Sequence, residues 1–220
     1  MISKLYKDKN KPILANCVNK NVLDLGIVDH DARYEQKKGW LHGDLKRISK
    51  KIMGIDIDEK SIKILKQKEY DVIARNVENF DLKEKFDVVV AGDLIEHLDN
   101  VGNFLKCVKK HMRKDSLFIL TTPNCLSLSN WIELLIFGKI KFINEQHTHW
   151  YDENTIKRIL KNHDFKIEEL SFIIHNPHFI EESRSRYLLK NMRHSIHAIF
   201  CSIRKQFAPT IFVKAKLGEK

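Results

Sequence analysis

Two apolar segments, each ending in a small or acidic residue, constrain this chain more than any other feature. Residues 22–26 pass through Asp24 and end at Gly26, and residues 51–58 contain Asp56. Open α/β sheets bind ligands in a crevice at the carboxyl ends of their strands, where glycine admits a ligand and a carboxylate binds ribose hydroxyls. The pair therefore predicts a nucleotide-type pocket. Many α/β proteins end strands in this way, so the remainder of the sequence has to decide.

The composition is that of a globular protein with a sizeable core. The 220 residues are 43% hydrophobic and 31% charged, which favours a single domain over residues 1–220 and argues against disorder. The longest apolar run, residues 131–138, is too short to span a bilayer, and the N-terminus lacks an apolar export signal. The four cysteines show no C-x-x-C pair, so we expect free thiols in a cytoplasmic protein.

The net charge of +10 is concentrated near the C-terminus. Residues 183–218 contain eight Lys or Arg and no Asp or Glu, and the basic helical segment 176–209 precedes the last predicted strand. Such a block suits contact with anionic lipid or an anionic substrate, although a solvated surface is favoured over any one specific partner. Without interleaved aromatic residues it does not predict nucleic-acid binding.

Strand and helix patterns alternate along the chain. Apolar runs predict strands, and helical spacing of apolar residues predicts helices, including one capped by Asp152 and a long one over residues 182–204. The seven predicted strands are residues 22–26, 51–58, 70–76, 86–92, 116–122, 166–175 and 210–217. Right-handed crossovers then predict a doubly wound, mostly parallel sheet in the order 3-2-1-4-5-7-6, with only the last strand antiparallel.

Several of these strand ends together resemble a known family. They read Asp24-Leu25-Gly26, then residues 54–58, 76–80 and 86–98, the last ending in Glu96-His97-Leu98, and then residues 120–124. Over roughly residues 20–175 the chain is similar to class I S-adenosylmethionine-dependent methyltransferases, of the small bacterial and archaeal type with a Glu-His-Leu turn after strand four. The resemblance implies a Rossmann-like methyltransferase fold with S-adenosylmethionine as its cofactor.

The resemblance also implies roles for individual residues. Asp24 and Gly26 would hold the methionine part of the cofactor, Asp56 its ribose and Ile57 its adenine, with Asn76 and Val77 at the adenine edge and Asp93 beside the sulfonium. Two alternatives stay open from the residues alone. Asp56 also suits the N-cap of the following helix, and Asn76 is a common loop residue.

The loop after the first strand departs from the family pattern. Family members usually have Gly-x-Gly-x-Gly there, whereas this chain reads Gly26-Ile27-Val28-Asp29-His30. Because β-branched residues resist positive φ, the loop has either been remodelled, with Asp29 or His30 contacting the cofactor, or it binds cofactor weakly. The other intact strand ends favour the remodelled loop.

The acceptor side is predicted from histidines near the other strand ends. A general base assists methyl transfer to a hydroxyl or amine, and His97, His147 and His149 are the candidates. The His147-Thr148-His149 pair lacks a completing ligand pattern, so no metal site is predicted. Residues 124–151 are predicted to form a substrate lid or insertion, whose apolar stretch over residues 131–137 suits a lid, core packing or shallow membrane contact.

The resemblance implies methyl transfer to a small-molecule or glycan-type acceptor, through oxygen or nitrogen. The alternative is a catalytically weakened nucleotide-fold binding module that acts through its basic C-terminal face. A nicotinamide dehydrogenase is disfavoured, because the chain lacks Gly-x-Gly-x-x-Gly and Glu96-His97 has no role in one.

Overall fold

The computed structural model describes residues 3–28, 39–140, 145–174 and 197–218. Its strands are β1 (Leu5–Tyr6), β2 (Asn21–Leu25), β3 (Lys51–Asp56), β4 (Val72–Ala74), β5 (Phe86–Gly92), β6 (Met112–Pro123), β7 (Phe165–Ile173) and β8 (Thr210–Leu217). Its helices are α1 (Asn10–Leu14), α2 (Leu41–Ile48), α3 (Glu59–Gln67), α4 (Val101–Lys110), α5 (Leu128–Phe137) and α6 (Glu153–Asn162). Short 3-10 turns cover Ile95–His97 and Lys205–Phe207.

The strands form one sheet in the order β1-β7-β8-β6-β5-β2-β3-β4. β8 runs antiparallel to β6 and β7, and the other pairs are parallel. The predicted α/β class and strand order are therefore confirmed, but the count of seven strands is wrong. The eighth is β1, whose Leu5 pairs with Phe172, and a strand of two residues carries no periodicity that a sequence could display.

Apolar side chains cover both faces of the central strands. In β2, Leu23 and Leu25 belong to one hydrophobic cluster, whereas Val22 belongs to another. In β5, Val89 packs in the first cluster and Val88 in the second. This alternation explains why both strands read as continuous apolar runs, since successive side chains point to opposite, equally buried faces.

The two helices that follow β6 differ in how they pack. α6 begins at the predicted cap, where the Asp152 carboxylate accepts from the Thr155 backbone N–H at 2.7 Å. α5 contains the apolar stretch over residues 131–137, but none of its residues is buried, and Leu135 is 80% exposed. Among the described residues, this apolar stretch is therefore not part of the hydrophobic clusters that fill the core.

The predicted long helix over residues 182–204 lies mostly outside the described residues. Residues 197–203 are helical, and Cys201 in this stretch packs in the main core. Among the described residues, no helix is long and apolar enough to cross a membrane.

Candidate active site

A cleft of about 1560 Å³ opens at the carboxyl ends of β2, β3 and β5. This is the edge at which doubly wound sheets bind ligands. Six predicted site residues line it: Asp24, Gly26, Asp56, Ile57, Asp93 and His97. Asn76, Val77, His147 and His149 are not among the described residues that line it.

The loop after β2 turns at Gly26, as predicted for a glycine at this strand end. Its φ is +74°, and a Cβ there would lie 2.8 Å from Cδ1 of Leu94. The next residue, Ile27, is buried in a cluster with Ile62 and Leu65 of α3. Its β-branched side chain thus anchors the loop by burial. Asp29 and His30, the predicted extra contacts, lie outside the described residues.

The Asp56 carboxylate holds two backbone segments at the end of β3. Oδ2 accepts from the Val28 N–H at 2.8 Å, and Oδ1 accepts from the Asp58 N–H at 3.0 Å. The cap of α3 is Asp58, which accepts from the Lys60 and Ser61 N–H groups, so the alternative role of Asp56 as that cap does not hold. Ile57 between them is 69% exposed and faces the cleft.

Asp24 forms a buried pair that the sequence did not predict. Its carboxylate lies 2.9 Å from Nδ1 of His42 in α2, and both side chains are almost fully buried. Burial raises the pKa of Asp24 and nearby Asp56 adds to this, whereas the hydrogen bond with His42 opposes it. The rings of Trp40 and Tyr70 pack against His42. No spacing rule links residue 24 to residue 42, so only the fold reveals the pair.

Asn76 and Val77 follow β4 in a tight turn. The Asn76 side-chain oxygen accepts from the Glu78 N–H at 2.8 Å, which is the local bond expected of a loop asparagine. The Val77 side chain is buried in the main core. Their contact with the adenine edge stays a prediction.

Asp93 occupies an uncommon backbone conformation where β5 ends. Its φ is +48°, a left-handed value that non-glycine residues seldom adopt outside functional or strained sites. Thr121 of β6 holds it there, because its Oγ1 donates to Asp93 Oδ1 at 2.7 Å and accepts from the Asp93 N–H at 3.1 Å. Lys9 forms an ion pair with the same carboxylate. Lys9 carries no sequence signal, because it is one of several lysines near the N-terminus.

Glu96 is a buried carboxyl beneath the cleft, and the sequence did not single it out as a site residue. It is 1% exposed, and its Oε2 accepts from Thr122 Oγ1 at 3.0 Å. Oε1 has no hydrogen-bond partner. Burial, with a further contribution from the Asp93 charge, raises the pKa of Glu96 to about 8. The Glu-His-Leu motif contained this signal, but its burial is visible only in the fold.

His97 and His147 lie against each other. Their ring centroids are 4.7 Å apart, and Nδ1 of His97 lies 3.3 Å from the carbonyl oxygen of Gln146. Burial lowers the pKa of His147, and the neighbouring His97 lowers it further. Two of the three predicted histidines, His97 and His147, therefore meet although they are distant in sequence. They do so at the rim of the cleft, where His97 and Gln146 line the wall.

The segment that contains His147 is fixed to the turn after β5 by its backbone. The carbonyl oxygen of Glu96 accepts from the N–H groups of Thr148 at 2.9 Å and His149 at 3.1 Å. The His149 ring stacks on Tyr151 with centroids 6.1 Å apart. The Tyr151 hydroxyl is buried and unpartnered, and burial raises the pKa of Tyr151 to about 12.

The comparison with protein families decides the class of this chain. Residues 4–170 match the model of a methyltransferase domain. The chain belongs to this methyltransferase family. The predicted class I S-adenosylmethionine-dependent methyltransferase, with its Rossmann-like fold, is thus confirmed at the level of the family.

Solved structures with this fold include two S-adenosylmethionine-dependent methyltransferases. One, from Archaeoglobus fulgidus, has 23% identity and a TM-score of 0.58, covering 94% of this chain and 89% of its own. The other, from Clostridium acetobutylicum, has 14% identity and a TM-score of 0.58, covering 95% and 88%.

The bovine mitochondrial ubiquinone biosynthesis O-methyltransferase is 25% identical over 194 residues, which are 79% of this chain and 50% of that protein. The ubiquinone biosynthesis O-methyltransferase of Bradyrhizobium diazoefficiens is 30% identical over 123 residues, 53% of this chain and 44% of that protein. The chain thus spans about half the length of these curated relatives.

Proposed function

We propose that this chain transfers the methyl group of S-adenosylmethionine to a hydroxyl or amine of a small-molecule or glycan-type acceptor. The observation that carries the proposal is the cleft at the carboxyl ends of β2, β3 and β5, which Asp24, Gly26, Asp56 and Asp93 line together. These residues are the ones that the family resemblance assigns to the cofactor. Residues 124–151 form the substrate insertion of the single domain in this proposal.

In this proposal, the residues of the cleft bind the cofactor along its length. Asp24 and Gly26 hold the methionine part, Asp56 the ribose and Ile57 the adenine, with Asn76 and Val77 at the adenine edge. A carboxylate oxygen carries two lone pairs, so Asp56 can accept from ribose hydroxyls while keeping its bonds to Val28 and Asp58. The cofactor supplies the activated methyl group, and the protein contributes mainly binding and alignment.

The acceptor lies, in this proposal, between Asp93 and the histidines His97, His147 and His149. A hydroxyl acceptor has to lose a proton as its oxygen attacks the methyl carbon, and a neighbouring base assists that loss. Transfer to oxygen is favoured over nitrogen because the curated relatives bear the name O-methyltransferase. The alternative, a weakened binding module, predicts no turnover with any acceptor.

Binding of S-adenosylhomocysteine tests the proposal directly. We expect calorimetry to give one site, and ligand at about 100 times its dissociation constant to add about 2.7 kcal/mol to the free energy of unfolding. Turnover with hydroxyl acceptors then separates an enzyme from a binding module. Product binding without turnover on any tested acceptor supports the binding module, and no thermal shift at millimolar product contradicts the cofactor assignment.

We further propose a contact with anionic lipid. Its surface consists of the exposed apolar side chains of α5, within the insertion, and of the helical residues 197–203. Leu135 and Ile136 of α5 are 80% and 66% exposed, and Ile203 in the helical residues 197–203 is 72% exposed. The two segments are connected, because Asn124 Nδ2 donates to the carbonyl oxygens of Gln206 and Ala208. Apolar side chains beside a basic block, in a chain of net charge +10, are typical of a surface that lies on a membrane.

Vesicle sedimentation tests this contact. We expect the protein to sediment with anionic vesicles and not with neutral ones, and Leu135→Asp to abolish sedimentation. Ile64→Asp is the matched control, because Ile64 on α3 is 42% exposed and lies away from this surface. Equal sedimentation of parent and Leu135→Asp contradicts the proposal.

A cytoplasmic location is also proposed, supported by four free cysteines.

A further inference from the structure

Three potential metal ligands meet at the rim of the cleft. Glu96, His97 and His147 each offer one ligand atom, and these atoms lie within 4.8 Å of one another. Two imidazoles and one carboxylate form a donor set that binds divalent transition metals, commonly with further positions left open. The sequence did not predict this set. Local spacing pairs His147 only with His149, and the two residues that complete the set lie about fifty positions earlier.

The buried carboxylate supplies an independent reason to expect a cation. Glu96 is 1% exposed, and its Oε1 has no hydrogen-bond partner, although Oε2 accepts from Thr122. A buried polar atom without a partner is costly, and a buried carboxylate is normally paired or bound to metal. The unpartnered oxygen belongs to the same cluster as the two imidazoles, and a metal ion there satisfies it.

Neighbouring groups orient these three side chains, just as hydrogen-bond partners orient the ligands of known metal sites. Thr122 fixes the Glu96 carboxylate, and the Gln146 carbonyl oxygen lies 3.3 Å from Nδ1 of His97. A proton on that nitrogen leaves Nε2 with the lone pair that a metal requires. The backbone bonds from Thr148 and His149 to the Glu96 carbonyl bring His147 beside His97.

We propose that Glu96, His97 and His147 bind one divalent transition metal ion, such as Zn²⁺ or Mn²⁺, beside the proposed acceptor pocket. The ligand atoms of such an ion lie on the order of 3–3.5 Å apart, given bonds of about 2.0–2.2 Å, so binding draws the three side chains together. With three protein ligands, an open position is left for water or an acceptor oxygen.

The role of the ion in catalysis rests on the proposed function, whereas its binding does not. An acceptor hydroxyl bound to the ion loses its proton more readily. That proton would pass to His149, the one predicted histidine that is not a ligand, as the oxygen forms its bond to the methyl carbon and the carbon–sulfur bond breaks to release S-adenosylhomocysteine. His97 and His147 act in this scheme as metal ligands and not as the base.

Metal binding to the full chain, without cofactor, tests the inference. After treatment with a chelator, we expect calorimetry with Zn²⁺ or Mn²⁺ to give one ion per chain, and Co²⁺ to give visible absorption from nitrogen and oxygen ligands. Glu96→Gln and His147→Ala should each weaken binding at least tenfold. His163→Ala is the matched control, because the His163 ring bonds to the Ile159 carbonyl away from the cluster.

Two results overturn the inference without bearing on methyl transfer. One is the absence of micromolar binding by the parent protein while it still binds S-adenosylhomocysteine. The other is binding that His163→Ala weakens as much as His147→Ala does, which indicates general binding to surface histidines. Circular dichroism of each variant confirms that it is folded. Metal binding without methyl transfer supports this inference and contradicts the proposed function.

Discussion

Replacing Asp56 with Ala tests the cofactor site most sharply, because the structure gives this carboxylate two distinct roles. Oδ2 and Oδ1 accept from the Val28 and Asp58 N–H groups, and the residue lines the cleft. Two ribose hydroxyls would donate to the remaining lone pairs in charge-assisted hydrogen bonds, each contributing about 1.5–3 kcal/mol. Their loss should weaken S-adenosylhomocysteine binding by about 100-fold or more, since about 1.4 kcal/mol corresponds to tenfold.

Asp58→Ala is the matched control, because it removes a carboxylate two residues away that caps α3. Asp58 accepts from the Lys60 N–H at 3.0 Å and the Ser61 N–H at 3.2 Å. Its loss should lower the free energy of unfolding by about 1 kcal/mol and, although Asp58 also lines the cleft, weaken product binding far less than Asp56→Ala does, because Asp58 is assigned no hydrogen bond to the ribose. Asp56→Ala should also lower stability, because the Val28 N–H loses its acceptor.

Calorimetry with S-adenosylhomocysteine and urea unfolding of both variants separate these effects. Binding should be lost in Asp56→Ala alone, while stability falls in both. Parent-like affinity in a folded Asp56→Ala variant refutes the ribose assignment. An equal loss of affinity in Asp58→Ala refutes the reasoning as well, because affinity would then follow the order of α3 and not the carboxylate.

Two further predictions concern the framework around the site. Gly26→Ala should lower the free energy of unfolding by about 1–2 kcal/mol in urea, because φ is +74° and the new Cβ lies 2.8 Å from Leu94 Cδ1. Burial lowers the pKa of His111, whose Nε2 accepts from the Leu82 N–H at 2.9 Å. Below about pH 6.5, His111 therefore binds a proton more readily in the unfolded chain than in the folded one. The free energy of unfolding should fall as pH drops below that value, and it should fall less in His111→Gln. Equal pH slopes for the parent and His111→Gln contradict this.

The sheet was predictable from sequence because each of its central strands carries its own signal. The runs at β2, β3 and β5 are apolar on both faces, and the right-handed crossover rule then orders the parallel strands. β1 was not predictable, since its two residues become a strand only by pairing with β7, far away in sequence. The outward orientation of α5 was also hidden, because an apolar stripe does not reveal whether anything covers it.

The position of a candidate site residue could be predicted only where that residue lies at a strand end. Asp24, Asp56 and Asp93 lie at or next to the ends of neighbouring strands whose carboxyl ends meet at one edge, so their positions follow from the sheet. His42 and the Glu96–His97–His147 cluster depend on where a helix or loop returns to that edge. The segment that contains His147 is held at this edge by backbone hydrogen bonds to the Glu96 carbonyl oxygen. No periodicity in the sequence encodes these bonds.

The glycine-poor loop shows how a chain can hold this backbone turn by other means. A Gly-x-Gly-x-Gly loop gains its close approach to a ligand from residues without a Cβ. Of residues 26–28, only Gly26 takes a positive φ, and Ile27 inserts into the cluster of Ile62 and Leu65. The Val28 N–H then donates to Asp56. The loop is thus held by side-chain burial and by the carboxylate proposed to bind ribose, so Asp56 and the loop are coupled parts of one cofactor site.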